Sequence, residues 1–345
     1  MIEYLRSCIH DMPGYTPGEQ PRDGTFVKLN TNENPYPPSP RVFEALHAAL
    51  TGDRLRKYPD PLGTHFRRTA GRVLDVDPDS ILIGNGSDDI LTILTRAFVP
   101  EGGLVVAPTP SYLLYRTLAN LQGARFRTVP FSDDWRLPKP WPMVGAYLTF
   151  LANPNSPSGT TVSLAEIREL DGPLVVDEAY ADFAEDNALE LVRRGTKNVV
   201  VTRSFSKSYA LAGIRFGFAV ADAALIRHLN KVKDSYNCDV LSLVAATAAI
   251  ADQEYFHTVR ARIVATRARM GKSLMELGFI VCPSQANFVW CRRTDRPVKP
   301  IYEELKNRYI LVRYMNYEGY GDGLRISVGT DEEIDRLLSE LKAIL

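Results

Sequence analysis

Lys207 lies in the stretch SFSKSYALAGIRFG, residues 204–217, directly after an apolar run. The hydroxyls of Ser204 and Ser206 and the guanidinium fork of Arg215 can surround a phosphate. An amine partly shielded from water beside other cations gives up its proton more readily and becomes a usable nucleophile. Together these residues suit a phosphorylated aldehyde. A solvated lysine in a serine-rich turn is the plainer reading, and it leaves the surrounding pattern unexplained.

Three further stretches bear on the same chemistry. In VVDEAYADF, Asp177 ends an apolar strand, where a buried carboxylate needs a cationic or hydrogen-bonding partner. A protonated pyridine nitrogen would supply one, and Tyr180 could hydrogen-bond a ring oxygen; a structural ion pair or a helix cap is the alternative. In GNGSDDILTILTRAF, a glycine-rich turn runs from a strand into a helix start, whose free N–H groups suit a phosphate. A plain helix cap by Ser87 or Asp88 is the alternative there. In LANPNSPSGT, two prolines and a glycine form a rigid turn that holds Asn155 and Ser156 ready to bond a ligand. A lysine nucleophile, an acid for a pyridinium nitrogen and a phosphate cradle together specify pyridoxal 5′-phosphate.

Other motifs fail. A dinucleotide fingerprint would need glycine where Asp89 stands, and the GKS at 271–273 lacks the P-loop glycine, with Thr266 in its place. Cys8, Cys238, Cys282 and Cys291 are scattered with no C-x-x-C pair, which argues against a zinc or redox site and for reduced thiols. No metal site is expected.

These residues must be positioned by a scaffold. The apolar runs SILIG, LVVAPT, AYLTFLANP, LVVDEAY, NVVVTRSFS and FGFAVA read as strands covered on both faces. Helical patterns such as SDDILTILTRAF and SLAEIREL lie between them, so a mostly parallel sheet with right-handed crossovers is expected. In such a sheet ligands bind at the carboxyl ends of the strands, where these polar residues fall. After about residue 240 an Arg-rich helical stretch, the short strands NFVWCR and LRISVG and a last helix suggest a smaller α+β unit. The expected division is an arm and small-domain segment over 1–40, a large domain over 41–245 and a small domain over 246–345.

The 345 residues carry 41 Lys plus Arg against 41 Asp plus Glu, which gives no support for a nucleic-acid surface. No run is long enough to span a membrane and the start lacks a signal peptide's apolar core, so a cytoplasmic location is expected.

The quoted motifs, with YTPGEQP, LNTNENPYPPSP, YPDP, ILVRYM and LRISVGT, resemble the fold-type I aminotransferases, and within them the histidinol-phosphate aminotransferase family. The resemblance covers nearly the whole chain. It implies an α/β fold with a seven-stranded, mostly parallel sheet in an α/β/α large domain. It implies transamination of L-histidinol phosphate with 2-oxoglutarate in histidine biosynthesis. Lys207 would carry the cofactor and shuttle the proton, Asp177 would hold the pyridine nitrogen protonated, and Tyr180 would contact the ring hydroxyl. Ser87, Asp88, Ser204, Ser206 and Arg215 would hold the phosphate. Tyr112 would stack on the ring, with Tyr115 as a rival. Arg313 and Arg325 would bind the substrate's anionic end, helped by Tyr15 and Tyr236. Tyr58 would reach the neighbouring subunit's cofactor, making a homodimer part of the expectation. Many relatives have Asn where Ser156 stands, so either Asn155 or Ser156 would contact the ring hydroxyl. Rival activities are an aromatic amino-acid aminotransferase and a pyridoxal-phosphate-dependent decarboxylase of a phosphorylated amino acid.

Overall fold

The computed structural model describes residues 2–10, 12, 19–20, 26–142 and 145–345. Its first strand, β1 (Val27–Leu29), lies in the smaller of two sheets. The chain then crosses to the larger sheet, formed by β2 (Ile81–Gly84), β3 (Leu104–Thr109), β4 (Arg125–Pro130), β5 (Leu148–Ala152), β6 (Leu174–Asp177), β7 (Val199–Ser204) and β8 (Gly217–Val220). The seven strands run in the order β2-β8-β7-β6-β5-β3-β4. β3 to β7 run parallel to one another, and β8 is antiparallel to both β7 and β2.

Both faces of this sheet are covered. Alternation along each strand sends Ile83, Leu151, Val176 and Val201 to one apolar cluster, and Leu82, Phe150, Val175 and Val200 to the other. This two-sided burial is why the strands read as continuous apolar runs. β4 was not legible in that way. Its sequence RFRTVP carries exposed arginines at 125 and 127, because it lies at one edge of the sheet and is packed less completely than the inner strands.

The chain returns to the smaller sheet with β9 (Ile280–Val281), β10 (Phe288–Arg292), β11 (Ile310–Tyr317) and β12 (Gly321–Ser327), in the order β1-β11-β12-β10-β9. β1 pairs parallel with β11, so residues 30–34 pass from one sheet toward the other. A 24-residue helix, Gln253–Glu276, and the final helix, Asp331–Ile344, back this sheet. Thr330 opens the final helix with a capping box closed by Glu333, a device worth about 1 kcal/mol.

Candidate active site

The carboxyl ends of the parallel strands open onto a cavity of about 280 Å³ between the two sheets. Asp177 ends β6, Ser204 ends β7, Tyr112 follows β3 and Ser156 follows β5, and all four line it. The small sheet closes the other side with Arg313, Met315, Tyr317 and Arg325.

Asp177 is 5% exposed. Its Oδ2 accepts from Tyr115 Oη at 2.8 Å and its Oδ1 from Thr202 Oγ1 at 3.1 Å. Burial raises its pKa above the ordinary carboxylate value, and those two hydroxyls oppose the rise. No cation pairs with it among these contacts, so the alternative of a structural ion pair is not what holds it. That role falls to the next residue. Glu178 pairs with Arg203 at 2.8 Å, and Arg203 also binds Asp182. Burial pushes Glu178 up to about 7 against the pull of Arg203. Asp182 in turn accepts from Ser208, next to Lys207, so this buried network supports the lysine's turn.

Lys207 follows β7 in a turn with its amine in the cavity. Nζ donates to the Thr31 carbonyl at 3.0 Å and lies 5.8 Å from the centre of the Tyr180 ring. Asn34 Nδ2 donates to the carbonyls of both Lys207 and Ser208 at 3.0 Å. The NTNEN segment therefore contributes to the site through Thr31, Asn32 and Asn34. Nothing in its composition assigned these residues roles, since three of these contacts use backbone carbonyls.

The residues expected to hold a phosphate also converge. The helix Ser87–Phe98 starts at Gly86, which adopts φ +85 and provides no side-chain cap. The alternative of a plain cap by Ser87 or Asp88 is thus not what the structure has, and the first N–H groups are left for other partners. A Cβ on Gly86 would sit 2.8 Å from the Arg215 guanidinium, and one on Gly217 would sit 2.7 Å from the Ser87 nitrogen. These two glycines let the turn, the arginine and β8 close around one point. Arg215 Nη1 donates to Ser206 Oγ at 3.4 Å, and Nη2 lies 3.7 Å from Asp88. Ser87, Asp88, Ser204, Ser206 and Arg215 all line the cavity.

Arg325 Nη1 donates to Ser156 Oγ and Nη2 to the Asn30 carbonyl, each at 3.0 Å. The cavity wall carries Ser156, whereas Asn155 is turned into the protein. The Asn155 amide nitrogen donates to Pro110 O and Ser158 Oγ, each at 3.1 Å.

Tyr112 and Tyr115 take different places. Tyr112 lines the cavity and donates to Asp88 at 3.3 Å. Tyr115 is fully buried, stacked on Phe150 at 4.7 Å, and reaches Asp177 from behind. It was named as a rival stacking residue, but the packing of its ring between helix and sheet makes it a support for the acid.

Tyr58 and Tyr236 stand apart from this cavity. Tyr58 is 81% exposed, and its ring stacks on that of Tyr236 at 4.4 Å. Tyr236, expected beside the two arginines, is held by this stacking on the outer face instead. Tyr15 lies outside the described residues. Among the described residues no group of His, Cys, Asp and Glu is placed to hold a metal ion, and no helix is long and apolar enough to cross a membrane.

Known proteins share this arrangement. Residues 24–341 match the family described as aminotransferase class I and II. A protein from Rhodopirellula baltica, named histidinol-phosphate aminotransferase, is 54% identical over 96% of this chain and 92% of its own length. One of the same name from Syntrophotalea carbinolica is 49% identical over 99% of both. The crystal structure of histidinol-phosphate aminotransferase from Sinorhizobium meliloti in complex with pyridoxal-5′-phosphate superposes with a TM-score of 0.87 at 28% identity. That superposition covers 98% of this chain and 96% of the other. With a match over most of its length and relatives of this identity, the chain belongs to the aminotransferase class I and II family.

Proposed function

We propose that this aminotransferase moves the amino group of L-histidinol phosphate to 2-oxoglutarate, giving imidazole-acetol phosphate and glutamate, with pyridoxal 5′-phosphate as cofactor. The observation that carries the reading is the pair Arg313 and Arg325, lining the same cavity as Lys207 and Asp177. Near-full-length likeness to proteins named histidinol-phosphate aminotransferase supports the substrate.

The residues present fit the cofactor. Asp177 is a buried acid with donors on both oxygens and no cation beside it, the environment a protonated ring nitrogen completes. The uncapped helix start, Ser204, Ser206 and Arg215 offer donors to a phosphate, and the Gly86 turn leaves no space there for a side chain. Ser156, rather than Asn155, would face the ring hydroxyl together with Tyr180, and Tyr112 would cover the ring.

The cofactor supplies an aldehyde carbon that takes up the amino group and a ring that accepts the electron pair left when the substrate carbon loses its proton. Lys207 Nζ is the group placed to take that proton and return it to the cofactor's former aldehyde carbon, on the far side of the amino nitrogen. The Thr31 carbonyl holds Nζ inside the cavity, and Asn34 holds its backbone. Asp177 keeps a proton on the ring nitrogen through its carboxylate, which Tyr115 and Thr202 orient. Arg313 and Arg325 bind the substrate's anionic end, and an arginine fork pairs with a phosphate as well as with a carboxylate. One site can therefore hold both substrates in turn, with ping-pong kinetics.

The exposed stacked pair Tyr58 and Tyr236 supports a homodimer in which Tyr58 of the partner subunit reaches the cofactor phosphate. A cytoplasmic location fits a biosynthetic enzyme in which no helix among the described residues is long and apolar enough to cross a membrane.

The deciding experiment uses the cofactor's visible absorption. L-histidinol phosphate added without an acceptor is expected to bleach the band, and 2-oxoglutarate to restore it. A band that ignores histidinol phosphate and bleaches with phenylalanine would overturn the substrate. Release of CO2 without need of an acceptor would replace transamination by decarboxylation.

A further inference from the structure

The segment 30–34 touches the reactive groups of the cavity one after another, through Arg325, Lys207 and Tyr180. The contact of Asn32 with Tyr180 has a direction that its neighbours decide. Asn32 is 1% exposed and adopts φ +56, a left-handed conformation that asparagine tolerates better than most residues. Its N–H donates to Ser327 Oγ at 2.8 Å, and its carbonyl accepts from Asn287 Nδ2 at 3.0 Å. The Ser327 hydroxyl, itself buried, gives its one proton to Asn32 Oδ1 at 3.0 Å. With the amide inverted, that hydroxyl would meet an NH2 group and its buried proton would lack this acceptor. Nδ2 therefore faces Tyr180 and donates to Oη at 3.0 Å.

A tyrosine hydroxyl has one proton to give. Because Oη accepts from Asn32, that proton points away from Asn32, and Tyr180 lines the cavity. We propose that Asn32 is a positioning residue, which compels Tyr180 to donate its hydroxyl proton into the cavity toward the cofactor's ring oxygen. This rests on the reading of Tyr180 given above. A donor there favours the anionic ring oxygen, so it lowers the pH at which the bound cofactor's visible band titrates. Among the described residues the titratable groups facing Tyr180 include Tyr115, which donates to Asp177, and the charged ones include Lys207, 5.8 Å from its ring, and Asp177. The variants below leave all three in place.

The test is a pH titration of the visible band in the loaded enzyme. Asn32→Asp keeps an acceptor for Ser327 and suits the left-handed backbone, but its carboxylate takes the Tyr180 proton for itself. Its midpoint is expected to rise by about half a pH unit or more. Asn32→Ala should rise less, because it merely frees the hydroxyl. A purely structural Asn32 would give the reverse order. Ser327→Ala frees the amide to invert and should also raise the midpoint; it serves if the Asn32 variants fold poorly.

Tyr180→Phe sets the reference. If it moves the midpoint while Asn32→Asp and Ser327→Ala do not, the proposal falls and the reading of Tyr180 stands. If Tyr180→Phe moves nothing, that reading falls and takes the proposal with it. In the Tyr180→Phe background, Asn32→Asp should add no further shift. An undiminished shift there would mean that the new carboxylate acts directly, which overturns the proposal.

Discussion

Arg313 and Arg325 stand directly opposite each other on the antiparallel strands β11 and β12, and both line the cavity. Two like charges at paired positions of a ladder repel. A doubly charged anion between them relieves that repulsion, which gives the small sheet a reason to keep both. Arg325 is tied to Ser156 and to the Asn30 carbonyl.

Arg325→Ala is therefore expected to lower kcat/KM for histidinol phosphate by about 30-fold or more, the effect of leaving a desolvated anion without its partner. The cofactor band should persist. Ser156→Ala, which removes one bond to Arg325, should act mainly on KM. Steady-state kinetics beside absorption spectra check both.

Asp177→Asn separates function from stability. A carboxyl whose folded pKa is raised binds its proton more tightly folded than unfolded. The stability it contributes is full below its ordinary value and is lost as pH rises through the raised one. Cofactor-free Asp177→Asn should thus lose less stability than the parent over a range that begins at about pH 4 and runs upward. Urea midpoints across that range read the difference. Turnover of the loaded variant should fall by about 100-fold or more, since the ring nitrogen loses its anionic partner.

Arg203 is buried between Glu178 and Asp182. Arg203→Ala leaves a buried carboxylate without its cation and should cost about 3–5 kcal/mol in a urea titration. Arg203→Met combined with Glu178→Leu removes the two most buried charges, leaves Asp182 with Ser208, and should recover part of that loss.

Tyr58→Ala and Lys207→Ala each should be inactive alone. Co-folded, they should regain activity, because in a mixed dimer the site that keeps Lys207 receives Tyr58 of the partner subunit. Random pairing would restore about a quarter of the sites. No recovery, or a monomer in sedimentation, would place Tyr58 outside the site.

Much of this was legible in the sequence. Buried strands advertise themselves as apolar runs, and a phosphate cradle needs glycine, hydroxyls and arginine close together in the chain. Lys207, Ser204, Ser206 and Arg215 are such a local set. Asp177 was legible because a charged residue at the end of an apolar run demands an explanation.

What tertiary structure alone decided are relations between residues distant in sequence. Tyr115 resembles Tyr112 in local context, and only packing against Phe150 assigns it to Asp177. Asn155 and Ser156 are neighbours, and the turn's path decides which faces the cavity. The bond between Asn32 and Tyr180 joins residues 148 positions apart, oriented by Ser327 from a third element. Local sequence carries propensity and the burial pattern of a single element. Hydrogen-bond direction depends on which donors and acceptors other elements bring to the same point, and that is set when the two sheets close on the segment between them.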